Sequence, residues 1–174
     1  SHNGCAARCA PIQLLVLEDL VAPDEHPSRL VLLDTVDDPH NVGAIVRTAA
    51  AFGVDGVVLC GPGAPPLGGG LAKAAAGMLE RVPVARCAAA GDAVAHLKRR
   101  GYWTLGADAS GQPADAVEPT GRWALCVGAE GRGLRAKTRA HLDELVAVPI
   151  ASGVESLNVS VATGILLYAL RRGE

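Results

Sequence analysis

Val148-Pro149-Ile150-Ala151-Ser152-Gly153-Val154-Glu155-Ser156-Leu157-Asn158-Val159-Ser160 carries an apolar strand end through a polar loop straight into an apolar helix. That is the unit of an open α/β sheet, in which ligands collect at strand ends because backbone groups and helix N-termini converge there. Outward from this stretch the same unit recurs. Short β-branched or Leu-rich runs at 30–34, 54–60, 82–86, 102–107, 123–127 and 144–148 read as strands. Ala-rich stretches at 41–52, 70–79, 91–100, 134–141 and 157–171 read as helices. The alternation, with strands apolar on both faces, predicts an α/β fold with a mostly parallel six-stranded sheet and helices on both faces.

Residues 1–28 hold Pro11, Pro23 and Pro27 and the acidic Glu18, Asp19, Asp24 and Glu25, with little periodicity. They are expected to be a linker or N-terminal arm, leaving residues 29–174 as the domain proper. At 174 residues, 49% hydrophobic and 20% charged, the chain fits one domain with a substantial core. Aromatic residues make up only 3%, so that core is built from Ala, Val and Leu. A formal net charge of -2 excludes a protein that grips nucleic acid through its overall charge, so any such site must be local. Basic residues do cluster, at Lys98-Arg99-Arg100, at Arg132, Arg135, Lys137 and Arg139, and at Arg171-Arg172. Solvated helix surfaces also produce such clusters.

Cys60 and Cys126 sit in apolar strand-like runs, and the five cysteines include no C-x-x-C pair, so reduced and mostly buried thiols are expected. His2, Cys5 and Cys9 match no common zinc spacing and lack a fourth ligand, and no metal is expected. The longest apolar stretch, Val159 to Leu170, is too short to span a bilayer and contains Ser160 and Thr163. With no charged-then-apolar start either, a cytoplasmic location without membrane contact is the expectation. The last helix is apolar nearly all round, with Val161, Leu167 and Tyr168 opposite Ala162, Ile165, Leu166, Ala169 and Leu170. A homodimer through this helix is expected.

Three strand-end junctions carry candidate chemistry. After the first strand, Asn41 is placed to cap a helix and Arg47 sits in its second turn. Apolar neighbours from Ala44 to Phe52 predict a buried Arg47, whose guanidinium then needs an anionic or hydrogen-bonding partner. Leu125-Cys126-Val127-Gly128-Ala129-Glu130-Gly131-Arg132-Gly133-Leu134 is a strand running into a glycine-rich turn that holds one carboxylate. Its order, G-x-x-G-x-G after a late strand, is not the dinucleotide fingerprint, which argues against an oxidoreductase. Gly61 to Gly70 lacks Gly-Lys-Ser/Thr, which rejects a P-loop. In the third junction, Ser156, Asn158 and Ser160 exceed the one residue that a helix cap needs, and the surplus polarity points to a ligand.

N-x5-R after the first strand, V-G-A-E-G-x-G after a later one, and V-P-I followed by S-L-N-V-S-V-A at the end resemble the three motifs of the SpoU class of RNA ribose methyltransferases, of the SPOUT superfamily. The resemblance covers about residues 29–172, in order and with no motif missing, and is closest to the 23S ribosomal RNA guanosine-2′-O type. It implies a C-terminal segment that threads a deep trefoil knot, an exception to the unknotted rule. It further implies S-adenosyl-L-methionine held largely by backbone groups at Gly106, Ala107, Gly128, Val148, Ile150 and Leu157. The side chains matching the family's catalytic positions are Asn41, Arg47, Glu130, Ser156 and Asn158. The implied reaction moves the methyl group to a ribose 2′-hydroxyl, with RNA as partner, ribosomal RNA favoured over transfer RNA, and guanosine as the analogous target.

In that class Arg47 is commonly assigned as the base, yet a guanidinium stays protonated. The alternative role is to orient RNA phosphate and stabilise the developing alkoxide, with Glu130 and Asn41 holding it. The opening Ser1-His2-Asn3-Gly4-Cys5-Ala6-Ala7-Arg8 resembles the end of a linker to an N-terminal RNA-binding domain. A transfer RNA substrate, and a knotted dimer that binds RNA without catalysis, are the rival readings.

Overall fold

Leu30-Val31-Leu32-Leu33 is apolar at every position because its strand has no solvent face: all four side chains are buried. The computed structural model describes residue 4, residues 10–23 and residues 26–171. The elements run β1 (Leu15–Val16), α1 (Leu17–Leu20), β2 (Ser28–Asp34), α2 (Pro39–Ala51), β3 (Gly56–Cys60), α3 (Gly69–Ala75) and β4 (Val84–Cys87). They continue with α4 (Ala90–Arg99), β5 (Trp103–Pro113), a 3-10 turn (Ala114–Ala116), β6 (Arg122–Gly128), α5 (Ala136–Arg139), β7 (Glu144–Ala147) and α6 (Val159–Leu170). The seven strands form one sheet in the order β1-β4-β3-β2-β6-β5-β7. Every pairing is parallel.

The period-two alternation of a strand sorts the core into two halves. Val31, Leu33, Val57, Leu59, Leu125 and Val127 point to one face, where Ile45 and Val46 of α2, Leu71 of α3 and Leu166 and Leu170 of α6 cover them. Leu30, Leu32, Val58, Cys60, Ala124 and Cys126 point to the other face, against Leu17 and Leu20 of α1 and Ala93, Val94 and Leu97 of α4. Fully burying one such Leu contributes roughly 1.5–3 kcal/mol, and that apolar burial holds the strand ends in place.

The expected strand count of six is corrected to seven. The added strand, β1, is two residues long and lies within the span expected to be a linker. It pairs Leu15 with Ala85 and Val16 with Arg86 at the sheet edge. Two residues carry no readable period, and the prolines and acids around them dominate the composition. The 15–20 segment is nonetheless fixed by Leu17 and Leu20 in the core. Just beyond it, the Ala22 carbonyl accepts from Arg122 Nη2 at 2.8 Å.

The helices also start differently from expectation. α2 begins at Pro39, whose missing N–H suits the first helical position, and is capped by Asp38, whose Oδ1 accepts from the His40 N–H at 3.0 Å. α6 begins two residues later than expected because Asn158, not a residue before it, is the cap. The opening eight residues except Gly4, together with Cys9 and Arg172, lie outside the described residues, and with them His2, Cys5 and Cys9.

Candidate active site at the carboxyl ends of the sheet

β2 and β6 are hydrogen-bonded neighbours, with Asp34 in register with Gly128. The segments that leave these two strands therefore start side by side, although 94 positions separate Asp34 from Gly128 in sequence (128 − 34). From β2 the chain enters α2 and presents Asn41; from β6 it enters the glycine-rich turn and presents Glu130. α6 packs on α2 and brings Asn158 to both. The Asn158 side-chain amide donates to Asn41 Oδ1 at 2.9 Å and to Glu130 Oε2 at 3.1 Å. Asn41 Nδ2 donates to the same Glu130 oxygen at 3.3 Å. Residues from all three motifs thus meet in one hydrogen-bonded cluster.

Asn158 serves two tasks with its two ends. Its Oδ1 accepts from the N–H groups of Ser160 at 3.0 Å and Val161 at 3.4 Å, capping α6. Its amide nitrogen, which a Ser or Thr cap lacks, is left to hold Asn41 and Glu130. Asp38 already caps α2, so Asn41 is not needed as a cap, contrary to the expectation, and its side chain is available to the cluster.

Beside the cluster lies a cleft of about 410 Å³, within the range of small-molecule sites, at the carboxyl ends of β5, β6 and β7. Ala107, Gly128, Val148, Ile150 and Leu157 line it, as do Glu130 and Ser156. Its floor is apolar, from Val127, Val146 and Leu166, and small residues, among them Ala107, Ala109, Gly128, Ala129, Gly131 and Gly133, line much of the rest. Gly128 is required by a close approach: a Cβ there would lie 2.0 Å from the Gly133 carbonyl carbon. The turn closes on itself by the Gly133 N–H bonding Ala129 O at 2.8 Å, and Gly133 has φ of +65°. An ion pair anchors its far end, where Arg135 Nε and Nη2 donate to the buried Asp34 Oδ1 at 2.7 and 2.6 Å.

Two expected site residues are placed differently. Gly106 does not line the cleft; it is buried beneath it, with Leu142, Leu134 and Leu145 packed where a Cβ would be. Arg47 is exposed rather than buried, and it makes no hydrogen bond or ion pair with the described residues. The buried stripe of α2 is Val42, Ile45, Val46 and Ala49, and a helical turn of 100° per residue puts Arg47 on the opposite side. Apolar neighbours in sequence misled here because they belong to the inward stripe. Glu130 and Asn41 hold each other and Asn158, not the guanidinium.

Asp108 was expected only as part of the 106–108 backbone and Arg132 only as part of a basic cluster, and both line the cleft. Burial pushes the Asp108 carboxyl up, but hydrogen bonds from Ser110 and the charge of Arg139 outweigh it and hold the group below its ordinary value. A carboxylate just past the expected strand at 102–107, in Gly106-Ala107-Asp108, is the signal that could have marked its side chain. Among the described residues no group of His, Cys, Asp and Glu is arranged to hold a metal ion. None of their helices is long and apolar enough to cross a membrane.

Comparison with known proteins agrees with this fold. The chain is 41% identical over 171 residues to the 23S rRNA (guanosine-2′-O-)-methyltransferase RlmB of Escherichia coli, covering 96% of this chain and 70% of that protein. It is 41% identical over 179 residues to a protein of Synechocystis sp. named an uncharacterized tRNA/rRNA methyltransferase, but spans only 46% of its length. The AdoMet-bound rRNA methyltransferase from Sinorhizobium meliloti superposes with a TM-score of 0.83 at 29% identity, over 92% of this chain and 61% of that one. The model of the SpoU rRNA Methylase family matches residues 28–168, and this chain belongs to that family.

Proposed function

We propose that this domain transfers a methyl group from S-adenosyl-L-methionine to the 2′-hydroxyl of a ribose in RNA, with ribosomal RNA as substrate and guanosine as target. The observation that carries the reading is the joining of Asn41, Glu130 and Asn158 at the edge of a cleft lined largely by Gly, Ala and other apolar residues. The residues fit the methyl donor. An apolar floor of Val127, Val146 and Leu166 suits an adenine, and the carboxylates of Glu130, Glu155 and Asp108, which line the space alongside Arg132, offer partners for a sulfonium and an ammonium. When bound, the donor supplies an electrophilic methyl group. The protein's own residues then hold the ribose in line with it, which is a positioning task.

In this reading Ser156 and the Asn41–Glu130–Asn158 cluster order the ribose at the cleft mouth. Arg47, which has no partner among the described residues, offers its planar fork to an RNA phosphate and stabilises the negative charge that develops on the 2′-oxygen as its proton passes to solvent and the methyl group leaves sulfur. Ribosomal RNA is favoured by the name of the relative from Escherichia coli. The C-terminal segment threads a trefoil knot, a reading supported by the packing of α6, which follows the edge strand β7, back against the 3-10 turn at 114–116 and α2. The exposed face of α6 makes a homodimer.

Calorimetry with S-adenosylhomocysteine and with NAD, followed by mapping of 2′-O-methyl positions in RNA from a deletion strain, tests the reading. Binding of the first ligand alone and one missing methyl group in ribosomal RNA are expected. A full set of ribosomal methyl groups with one missing from transfer RNA would move the substrate, and no binding of S-adenosylhomocysteine would end the proposal.

A further inference from the structure

β5 is not a regular strand. Ala107 and Gln112 both pair with Val146 of β7, so residues 108–111 leave the ladder as an excursion between them. Gly111 sits where the excursion rejoins, with a Cβ position 2.5 Å from the backbone of Leu145 and Val146, so no larger residue fits there. The excursion turns Asp108 and Ala109 into one wall of the cleft.

A segment reading Asp108-Ala109-Ser110-Gly111 has little side-chain packing of its own to order it. One guanidinium supplies the order from outside. Arg139 Nη1 donates to Asp108 Oδ2 at 2.8 Å, and Arg139 Nη2 donates to Ser110 Oγ at 2.8 Å. Asp108 Oδ1 in turn accepts from the Ser110 N–H at 2.9 Å and from its hydroxyl at 2.7 Å. Arg139 is the last residue of α5, the short helix that follows the glycine-rich turn. The β5 wall and the β6 wall of the cleft are therefore clamped together at one side chain. The pair is partly exposed, Arg139 44% and Asp108 19%, and an ion pair of that kind adds little to overall stability. Its consequence is local geometry.

We propose that Arg139 is a positioning residue for the methyl donor: through Asp108 and Ser110 it presets the 108–111 wall in the shape that receives the nucleoside. The inference rests on the assignment of the cleft to S-adenosyl-L-methionine. A wall that is already ordered does not have to be ordered on binding, which raises affinity without a new contact.

The test is calorimetry with S-adenosylhomocysteine on the parent chain, Arg139→Ala, Arg139→Lys and Asp108→Asn, with thermal melts of each. Arg139→Ala should weaken binding about tenfold, the scale expected when a short segment must be ordered by the ligand, while the melt moves little. Arg139→Lys keeps the charge but reaches one acceptor only, and should recover part of the loss. In turnover the change should fall on the KM for the donor and leave kcat near the parent value. Equal affinity of Arg139→Ala and the parent overturns the positioning role and leaves the cleft assignment standing. Loss of affinity together with a collapse of the melting transition marks a structural role and overturns it too. A parent chain that binds no S-adenosylhomocysteine overturns both.

Discussion

At the scale of single residues, one polar group is made to serve two structures wherever the site is tightest. Asn158 caps α6 with its oxygen and gathers Asn41 and Glu130 with its nitrogen. Arg47 is the contrast, a guanidinium on the outer face of α2 without a partner among the described residues. Replacing Arg47 with Lys keeps the charge and removes the planar fork, so methylation of RNA should fall roughly 10–100-fold with the melt unchanged. Activity close to the parent's would contradict a need for the fork. The residue types at Glu130, Ser156 and Asn158 were legible in the sequence because they stand in polar segments that interrupt apolar runs, and Asn41 because it stands in the polar first turn of α2. The exposure of Arg47 was legible only once its neighbours were placed on a helical wheel. The Asp108–Arg139 clamp was not legible at all: its partners lie 31 positions apart, and each alone reads as an ordinary surface charge.

Among the elements, α6 has the most unusual surface. Val159, Thr163, Leu166, Leu167 and Leu170 are buried, which places Leu167 in the core and not on the outward side where its spacing was expected to put it. Val161, Ile165 and Tyr168 are exposed at 51%, 42% and 50%. Beside them Tyr168 meets Phe52 edge to face with ring centroids 6.2 Å apart, and the Arg171 guanidinium lies 4.5 Å over the Tyr168 ring. An apolar stripe along a helix, bordered by a stacked cation, is the composition of an interface core and rim. Sedimentation velocity should find the parent chain at twice its monomer mass, and Val161→Glu with Tyr168→Glu should shift it to the monomer. A parent that sediments as a monomer across micromolar concentrations would remove the dimer from the proposal. Most strands were legible because both faces are buried and the apolar runs are continuous. β1 was not, since a two-residue edge strand has no period to read.

For the whole molecule, several ties between elements are made by carboxylates near the sheet's ends. Lys98 of α4 reaches Asp143 Oδ1 at 2.6 Å, and the N–H and hydroxyl of Thr104 in β5 donate to Asp143 Oδ2 at 2.9 and 2.7 Å. Burial pushes the Asp143 carboxyl up, but hydrogen bonds from Lys98 and Thr104 and the Lys98 charge outweigh it and hold the group below its ordinary value, as they do for Asp108 with its own partners. A carboxyl depressed in the folded state contributes stability above its ordinary pKa and loses it as pH falls through the folded value. The melting temperature should therefore be flat above about pH 5 and fall below about pH 4, and Asp108→Asn with Asp143→Asn should flatten that fall. An acid limb of unchanged steepness in the double variant would show that other groups control it.

The register of Asp34 with Gly128, and the arrival of Asn158 from 117 positions beyond Asn41, also set a schedule. A nascent chain that has just passed Ala147 already contains every strand of the sheet and both walls of the β2–β6 junction. It can bond Asn41 to Glu130 only through their one direct contact at 3.3 Å, because the Asn158 amide that bonds both has not been made. The most non-local contact of the site is thus also the last to form, as expected where long-range pairings follow local ones in folding. A ribosome must therefore pass Asn158 before the three-residue cluster can close.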